Sequence, residues 1–164
     1  MSKVCTKCKQ EKPLSEFGKS KNTGDRYTYK CLQCKCEYAS GYRLTTKGVY
    51  NSLVGRMNFY HTKPVLISYE DFEDWWENTP RKCVYCGISE KDVRNVDDPF
   101  NNQNGRLTID CVDNYVGYKK GNIVLACRRC NNMKSDLLNF EQMRYVGQNF
   151  IKPIWEKRLN KKII

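Results

Sequence analysis

Leu107-Thr-Ile-Asp-Cys-Val112, Asp113-Asn-Tyr-Val-Gly-Tyr-Lys-Lys-Gly121, Asn122-Ile-Val-Leu-Ala126 and Cys127-Arg-Arg-Cys-Asn-Asn-Met-Lys134 follow one another without a break, and their order decides the fold. The first and third pieces are short, apolar and β-prone, which predicts strands over 107–112 and 122–126. Between them lies a polar loop in which Gly117 and Gly121 permit tight turns. The fourth piece predicts a helix that opens at Cys127 and runs through Asn131, Lys134 and Leu137. Strand, loop, strand and helix are thus closed by a Cys-x-x-Cys pair at the helix start.

Three further pairs share that spacing: Cys5/Cys8, Cys31/Cys34 and Cys83/Cys86. Two residues between thiolates let one tight turn present both sulfurs to a tetrahedral ion. Matching neighbouring pairs predicts one structural zinc on Cys5, Cys8, Cys31 and Cys34, and a second on Cys83, Cys86, Cys127 and Cys130. Cys36 and Cys111 are left over. Cys36 either substitutes for Cys34 or stands beside the site as a free thiol.

Lys and Arg number 29 against 18 Asp and Glu, a net charge of +11, which favours a polyanionic partner through counterion release. No stretch approaches the length of apolar residues a membrane span needs, so no membrane partner is expected. The N-terminus lacks the apolar segment of a secretory signal. An intracellular, reducing location is therefore expected, where ten cysteines point to metal rather than disulfides.

The chain reads as an α+β protein in two parts. Residues 1–45 form a knuckle module and linker, too small to hold together without metal. Residues 46–164 form the larger domain, with its core at about 80–138. Helical spacing of Tyr50, Leu53, Val54, Met57 and Tyr60 predicts a packed helix. Val65, Ile67 and Tyr69 alternate as in a short strand. Ser68 with Asp71, and Asn139 with Gln142, are helix-start signals. Phe72, Trp75 and Trp76 are core residues of the helix that Ser68 opens. The polar run 90–105 is expected to be an exposed loop, and Pro153 to interrupt the last helix. No internal repeat or low-complexity tract competes with this order.

The segment 107–134, with Cys83-Val-Tyr-Cys86-Gly87 upstream and the chain through Phe140 downstream, resembles the HNH (ββα-metal) endonucleases, nearest to the zinc-knuckle branch of phages and mobile elements. The resemblance implies a DNA-cutting enzyme. Asp110 and Asn131 would hold a catalytic Mg²⁺ or Mn²⁺, and Asn122 would pin the loop. Hard carboxylate and amide oxygens suit such an ion. Phosphodiester hydrolysis needs a cation, a base and phosphate donors. Lys119, Lys120, Arg128, Arg129 and Lys134 flank the expected cleft as phosphate contacts, and the lysines of the N-terminal knuckle offer a second DNA contact.

One departure stands out. The family places its general base, a histidine, directly after the metal-binding Asp, and here that residue is Cys111. Asp113 is the first choice for the missing base. Cys111 itself, though a thiol of ordinary acidity is little ionised at neutral pH, and a base supplied from another segment by His61 are alternatives. The lone histidine, His61, lies far upstream. A protein that binds DNA without cutting it is the alternative to an enzyme. A zinc-ribbon protein serving RNA or another protein is a third class.

Overall fold

A computed structural model describes residues 1–60, 63–96 and 106–160. The chain forms two compact units, Met1–Ser52 and Leu53–Ile164.

In the first unit, β1 (Ser2–Val4) pairs antiparallel with β2 (Glu11–Pro13) around the Cys5/Cys8 knuckle. β3 (Phe17–Lys19) pairs antiparallel with β4 (Tyr27–Cys31), and α1 (Leu32–Leu44) starts on Cys31. The core is Cys5, Phe17, Cys31 and Cys34, with Cys8 and Tyr27 packed against it. One buried phenylalanine and four sulfurs make a very small core, one that a bound metal would reinforce. The polar, basic stretch after Cys34 continues as helix. α2 (Thr46–Tyr60) follows, and the boundary between the two compact units falls inside it. Its first turns pack back on α1, where the Asn51 amide donates to the Tyr42 hydroxyl at 2.6 Å. Leu53, the first residue of the second unit, is buried.

In the second unit, α3 (Tyr69–Asn78) is capped by Ser68, whose side chain accepts from the Asp71 amide. Phe72 is buried and stacks with Trp76 at 5.7 Å. The strand expected over 65–69 reduces to a single bridge between Val65 and Tyr118, so alternation alone is not enough to pair it along its length. The loop expected from residue 90 begins as a helix, α4 (Glu90–Asn95). Ser89 caps it through the Asp92 amide, and Val93 and Val96 turn inward. Residues 97–105 of that expected loop lie outside the described residues.

β5 (Thr108–Cys111) and β6 (Ile123–Ala126) form an antiparallel hairpin, with Asp110 opposite Val124 and Cys111 opposite Ile123. α5 (Arg128–Lys134) follows with Cys127 as its N-cap, and Ser135, at φ 46°, ends it. α6 (Phe140–Val146) carries the full Asn139/Gln142 capping box. A π-turn over Gly147–Ile151 leads directly into α7 (Lys152–Asn160), so Pro153 does not interrupt the helix. Pro153 is the second residue of α7, directly after the wide turn, where a missing N–H is tolerated.

No internal repeat is visible in the sequence beyond the cysteine pairs, yet the two units repeat one frame. In each, a knuckle is followed by a hairpin and by a helix that begins at a Cys-x-x-Cys. Cys5 N–H donates to Gln10 O and Lys9 N–H to Cys5 O, both at 2.9 Å; Cys83 N–H donates to Ile88 O and Gly87 N–H to Cys83 O, also at 2.9 Å. The residue after the first cysteine ties each knuckle to its second strand: Thr6 N–H to Tyr29 O at 3.0 Å and Val84 N–H to Leu125 O at 2.9 Å.

Candidate metal centres and active site

Each frame gathers its four cysteines. The ligand atoms of Cys5, Cys8, Cys31 and Cys34 all lie within 4.8 Å of one another, as do those of Cys83, Cys86, Cys127 and Cys130. Tetrahedral zinc–thiolate bonds place sulfurs about 3.8 Å apart. The Cys86 and Cys127 sulfurs are 3.7 Å apart, so both groups have the composition and size to hold zinc. Cys36 is exposed and outside the first group, which leaves Cys34 as the ligand. Crowded thiols cannot all ionise unaided. Sulfur donors from Cys127, Cys130 and Cys86 hold the Cys83 thiol far below its usual range. In the other group, desolvation and then the Cys31 sulfur push Cys34 up to about 12. A dication removes that conflict by charge.

The candidate active site grows from the second frame. Successive residues of a strand point to opposite faces, so Thr108 and Asp110 share one face of β5 while Ile109 and Cys111 share the other. Asn131, the residue after the last cysteine, donates its amide nitrogen to Thr108 Oγ1 at 2.9 Å. It therefore reaches the face that carries Asp110, and its carbonyl oxygen is not used in that bond. Asp110 is 4% exposed. Its Oδ1 accepts from the Cys111 backbone N–H at 2.8 Å, and its Oδ2 accepts from the Tyr85 hydroxyl at 2.7 Å.

Tyr85 joins this site without having been singled out by motif or spacing. It sits between Cys83 and Cys86 and is fully buried. Its carbonyl accepts from the Gln148 side chain at 2.6 Å, and its ring packs on Phe140 at 5.5 Å. A Cβ on Gly147 would come within 2.6 Å of the Tyr85 backbone, so only glycine lets the C-terminal helix approach this closely. Burial, then the Asp110 carboxylate, raise the phenol pKa, leaving Tyr85 a donor. A sequence signal does exist: a large polar-tipped aromatic between two metal ligands needs a partner when buried.

Lys134 requires a correction. Expected at the surface against a phosphate, it has no exposure at all. Its ammonium donates to Cys111 O and Asn114 Oδ1, each at 2.9 Å, and lies 3.6 Å from Asp110 Oδ2. Helical spacing correctly puts it on the Asn131 face, but that face is covered by the hairpin and its loop. Asn114 also accepts from Lys63 at 2.8 Å and donates to Ser135 O at 2.9 Å, tying the loop to the end of α5. Lys63, half-buried, is a cation at the site that no sequence pattern picks out.

Asn122 is buried. Its side chain accepts from Asp113 N–H at 2.9 Å and donates to Asp113 O at 2.9 Å and Gly117 O at 2.7 Å. These three bonds fasten the loop. The Asp113 carboxylate is exposed and accepts from the Tyr115 N–H at 2.8 Å. It borders a 550 Å³ cavity shared with Asp136 and Glu141. Cys111 faces away from Asp110, has no exposure, and its sulfur meets the Tyr118 hydroxyl. Burial pushes its thiol up to about 11. A buried, neutral thiol on the opposite face is a core residue, which corrects its place among the catalytic candidates.

Lys119 and Lys120 are exposed on the loop, and Lys120 pairs with Asp71 at 2.7 Å. Arg128 is exposed, and Arg129 lies 5.9 Å from the centroid of the Trp155 ring. His61 lies outside the described residues. Among the described residues no helix is long and apolar enough to cross a membrane.

A hairpin and a helix joined by a four-cysteine group, with a carboxylate on the strand face that the helix amide reaches, have the arrangement of a ββα-metal fold. A solved structure with the same fold is that of the rare-cutting HNH restriction endonuclease PacI, 24% identical, with a TM-score of 0.58 over 94% of this chain and 96% of that one. The HNH resemblance read from residues 83–134 is thereby supported at the level of fold. No protein-family model and no curated protein matches the chain.

Proposed function

We propose that this protein is a divalent-metal-dependent DNA endonuclease of HNH type, stabilised by two zinc ions. The observation that supports this reading is the bond from Asn131 to Thr108, which shares its face of β5 with Asp110, beside a four-cysteine group sized for zinc. The likeness in fold to an HNH restriction endonuclease supports it. The donor set fits a hard cation. Asp110 accepts from Cys111 N–H at one oxygen and from the Tyr85 hydroxyl at the other, and a carboxylate offers about four lone-pair sites.

A bound Mg²⁺ or Mn²⁺ supplies Lewis acidity toward a phosphate oxygen and neutralises developing charge. The chain's own residues do the rest. Asp110 and Asn131 hold the ion's protein side, and Tyr85 and Lys134 fix the direction of the carboxylate. Asn122 holds the loop in shape. Asp113, the exposed carboxylate of that loop, takes the proton of the attacking water. Lys119, Lys120, Arg128 and Arg129 meet phosphates.

A second reading has its own observation. The Lys134 ammonium and the Tyr85 hydroxyl already engage Asp110, which favours a DNA-binding protein that no longer cuts. Plasmid cleavage with and without Mg²⁺ or Mn²⁺ separates the two. The expected result is metal-dependent cleavage that Asp110→Ala lowers by about 10³-fold or more with DNA affinity retained. Retained DNA binding with no cleavage in any divalent metal would establish the second reading instead.

A further inference from the structure

The first frame repeats the second with its site chemistry replaced. Counting from the paired cysteines, Lys35 stands where Asn131 stands, directly after the last cysteine. Lys7 takes the place of Tyr85 and Tyr38 that of Lys134. Thr28 lies three residues before its helix-capping cysteine, as Val124 does before Cys127. Val124 faces Asp110; a Cβ on Gly18 would lie 3.6 Å from the Thr28 side chain and 3.6 Å from Lys35 Nζ. Where the second frame carries a carboxylate and an amide, the first has a glycine with an ammonium beside it.

We infer that the N-terminal frame is a non-cutting copy that grips the phosphate backbone of DNA, with Lys35 and Lys7 supplying fixed cations at the positions of Asn131 and Tyr85. This rests on the DNA reading above. Burial differs in the required sense: Tyr85 and Lys134 are sealed in, whereas Lys7, Lys35 and Tyr38 are exposed. Lys7 has one weak competitor, Glu37 at 3.6 Å. Residues 1–52 hold eleven Lys and Arg against four Asp and Glu. That excess survives the two negative charges that four thiolates leave on a zinc dication. Ammonium groups bind phosphate as point charges and, unlike a Lewis-acidic metal with a base, provide no route to hydrolysis. The zinc-held helix start and hairpin fix where the stems of Lys7 and Lys35 begin, which an unstructured basic tail would not do.

The test is binding of the full chain to a DNA duplex, titrated across salt, with zinc content measured alongside. Lys7→Ala/Lys35→Ala should retain both zinc ions, weaken binding, and make the salt dependence shallower by about two counterions. Lys7→Arg/Lys35→Arg should bind as the parent does. Lys19→Ala/Lys21→Ala, which removes equal charge away from these positions, should change the slope less. An equal loss in that control, or unchanged binding in Lys7→Ala/Lys35→Ala, would overturn the inference while leaving the endonuclease reading intact. A parent protein that binds no DNA, or prefers an RNA duplex of equal length, would overturn the DNA reading and this inference with it.

Discussion

The two frames share a skeleton and differ in what surrounds it. The first closes its cysteine group with little more than Phe17, whereas the unit that holds the second also buries Phe72, Tyr85, Val93, Leu107, Leu125 and Met143. The same turn at the fifth residue of each knuckle is filled by Gly87 at φ 78° in one and by Lys9 at φ 60° in the other. Left-handed backbone is free to glycine and costs a side-chain-bearing residue about 1 kcal/mol. Burial is what separates the two sites. A polar site of fixed geometry, such as Tyr85 with Asp110 and Lys134, needs enough apolar surroundings to exclude water and hold three side chains still. The first frame lacks those surroundings, and its equivalent positions carry solvated cations.

Removing one thiolate from each frame should have the largest effect and tests whether the frames stand independently. Cys83→Ser should cost the Leu53–Ile164 unit its metal and its cooperative unfolding transition, because that group ties knuckle, β6 and α5 together. Cys5→Ser should lose one zinc and disorder the first unit while cleavage persists. Metal analysis with thermal melts reads both, and collapse of the whole chain in Cys5→Ser would refute the independence of the frames.

Next in size is Tyr85→Phe, which keeps the ring packed on Phe140 and deletes only the hydroxyl that holds Asp110. Loss of an outer partner of a metal ligand typically costs about 10- to 100-fold in metal affinity. Titration of the apo site with Mn²⁺, followed by paramagnetic resonance, should therefore show weaker binding with zinc content unchanged. Equal Mn²⁺ affinity in the two proteins would reduce Tyr85 to a packing residue.

A smaller effect is expected at Cys111. Cys111→Ser should change the cleavage rate by less than about threefold, since a neutral thiol on the far face takes no part. A thiol reagent at pH 8 should also fail to label Cys111 in the folded protein, its thiol being pushed up to about 11 by burial. Large loss in Cys111→Ser beside an unaffected Asp113→Ala would restore the cysteine as the base. The smallest change is Lys9→Gly, which should stabilise the first unit by about 1 kcal/mol by relieving the left-handed lysine. An unchanged melt of that unit would mean the lysine bears no strain.

Much of the molecule is legible before any tertiary contact is known. The cysteine groups, the hairpin and helix order, and the caps at Ser68 and Asn139 are all readable, because each depends on residues a few positions apart or on one pairing; the loop-pinning role of Asn122 came only with the family resemblance. What stays hidden also has local causes. Polar composition masks the helix at Glu90–Asn95, although Ser89 and Asp92 announce its cap. Pro153 looks like a break because a preceding π-turn leaves no mark in residue spacing.

Residue spacing is therefore enough to say which cysteines gather and which strand carries the acid, since two-residue gaps between thiolates and alternation along a strand are properties of short chain segments. It took tertiary packing to seal Lys134 against Asp110, to turn Cys111 toward Tyr118, and to carry Tyr85 from the knuckle to the strand. Those contacts join residues 20 to 25 positions apart for Lys134 and Tyr85. Whether a lysine or a thiol at such a place is solvated or buried depends on what the rest of the chain lays over it, and no local pattern encodes that cover.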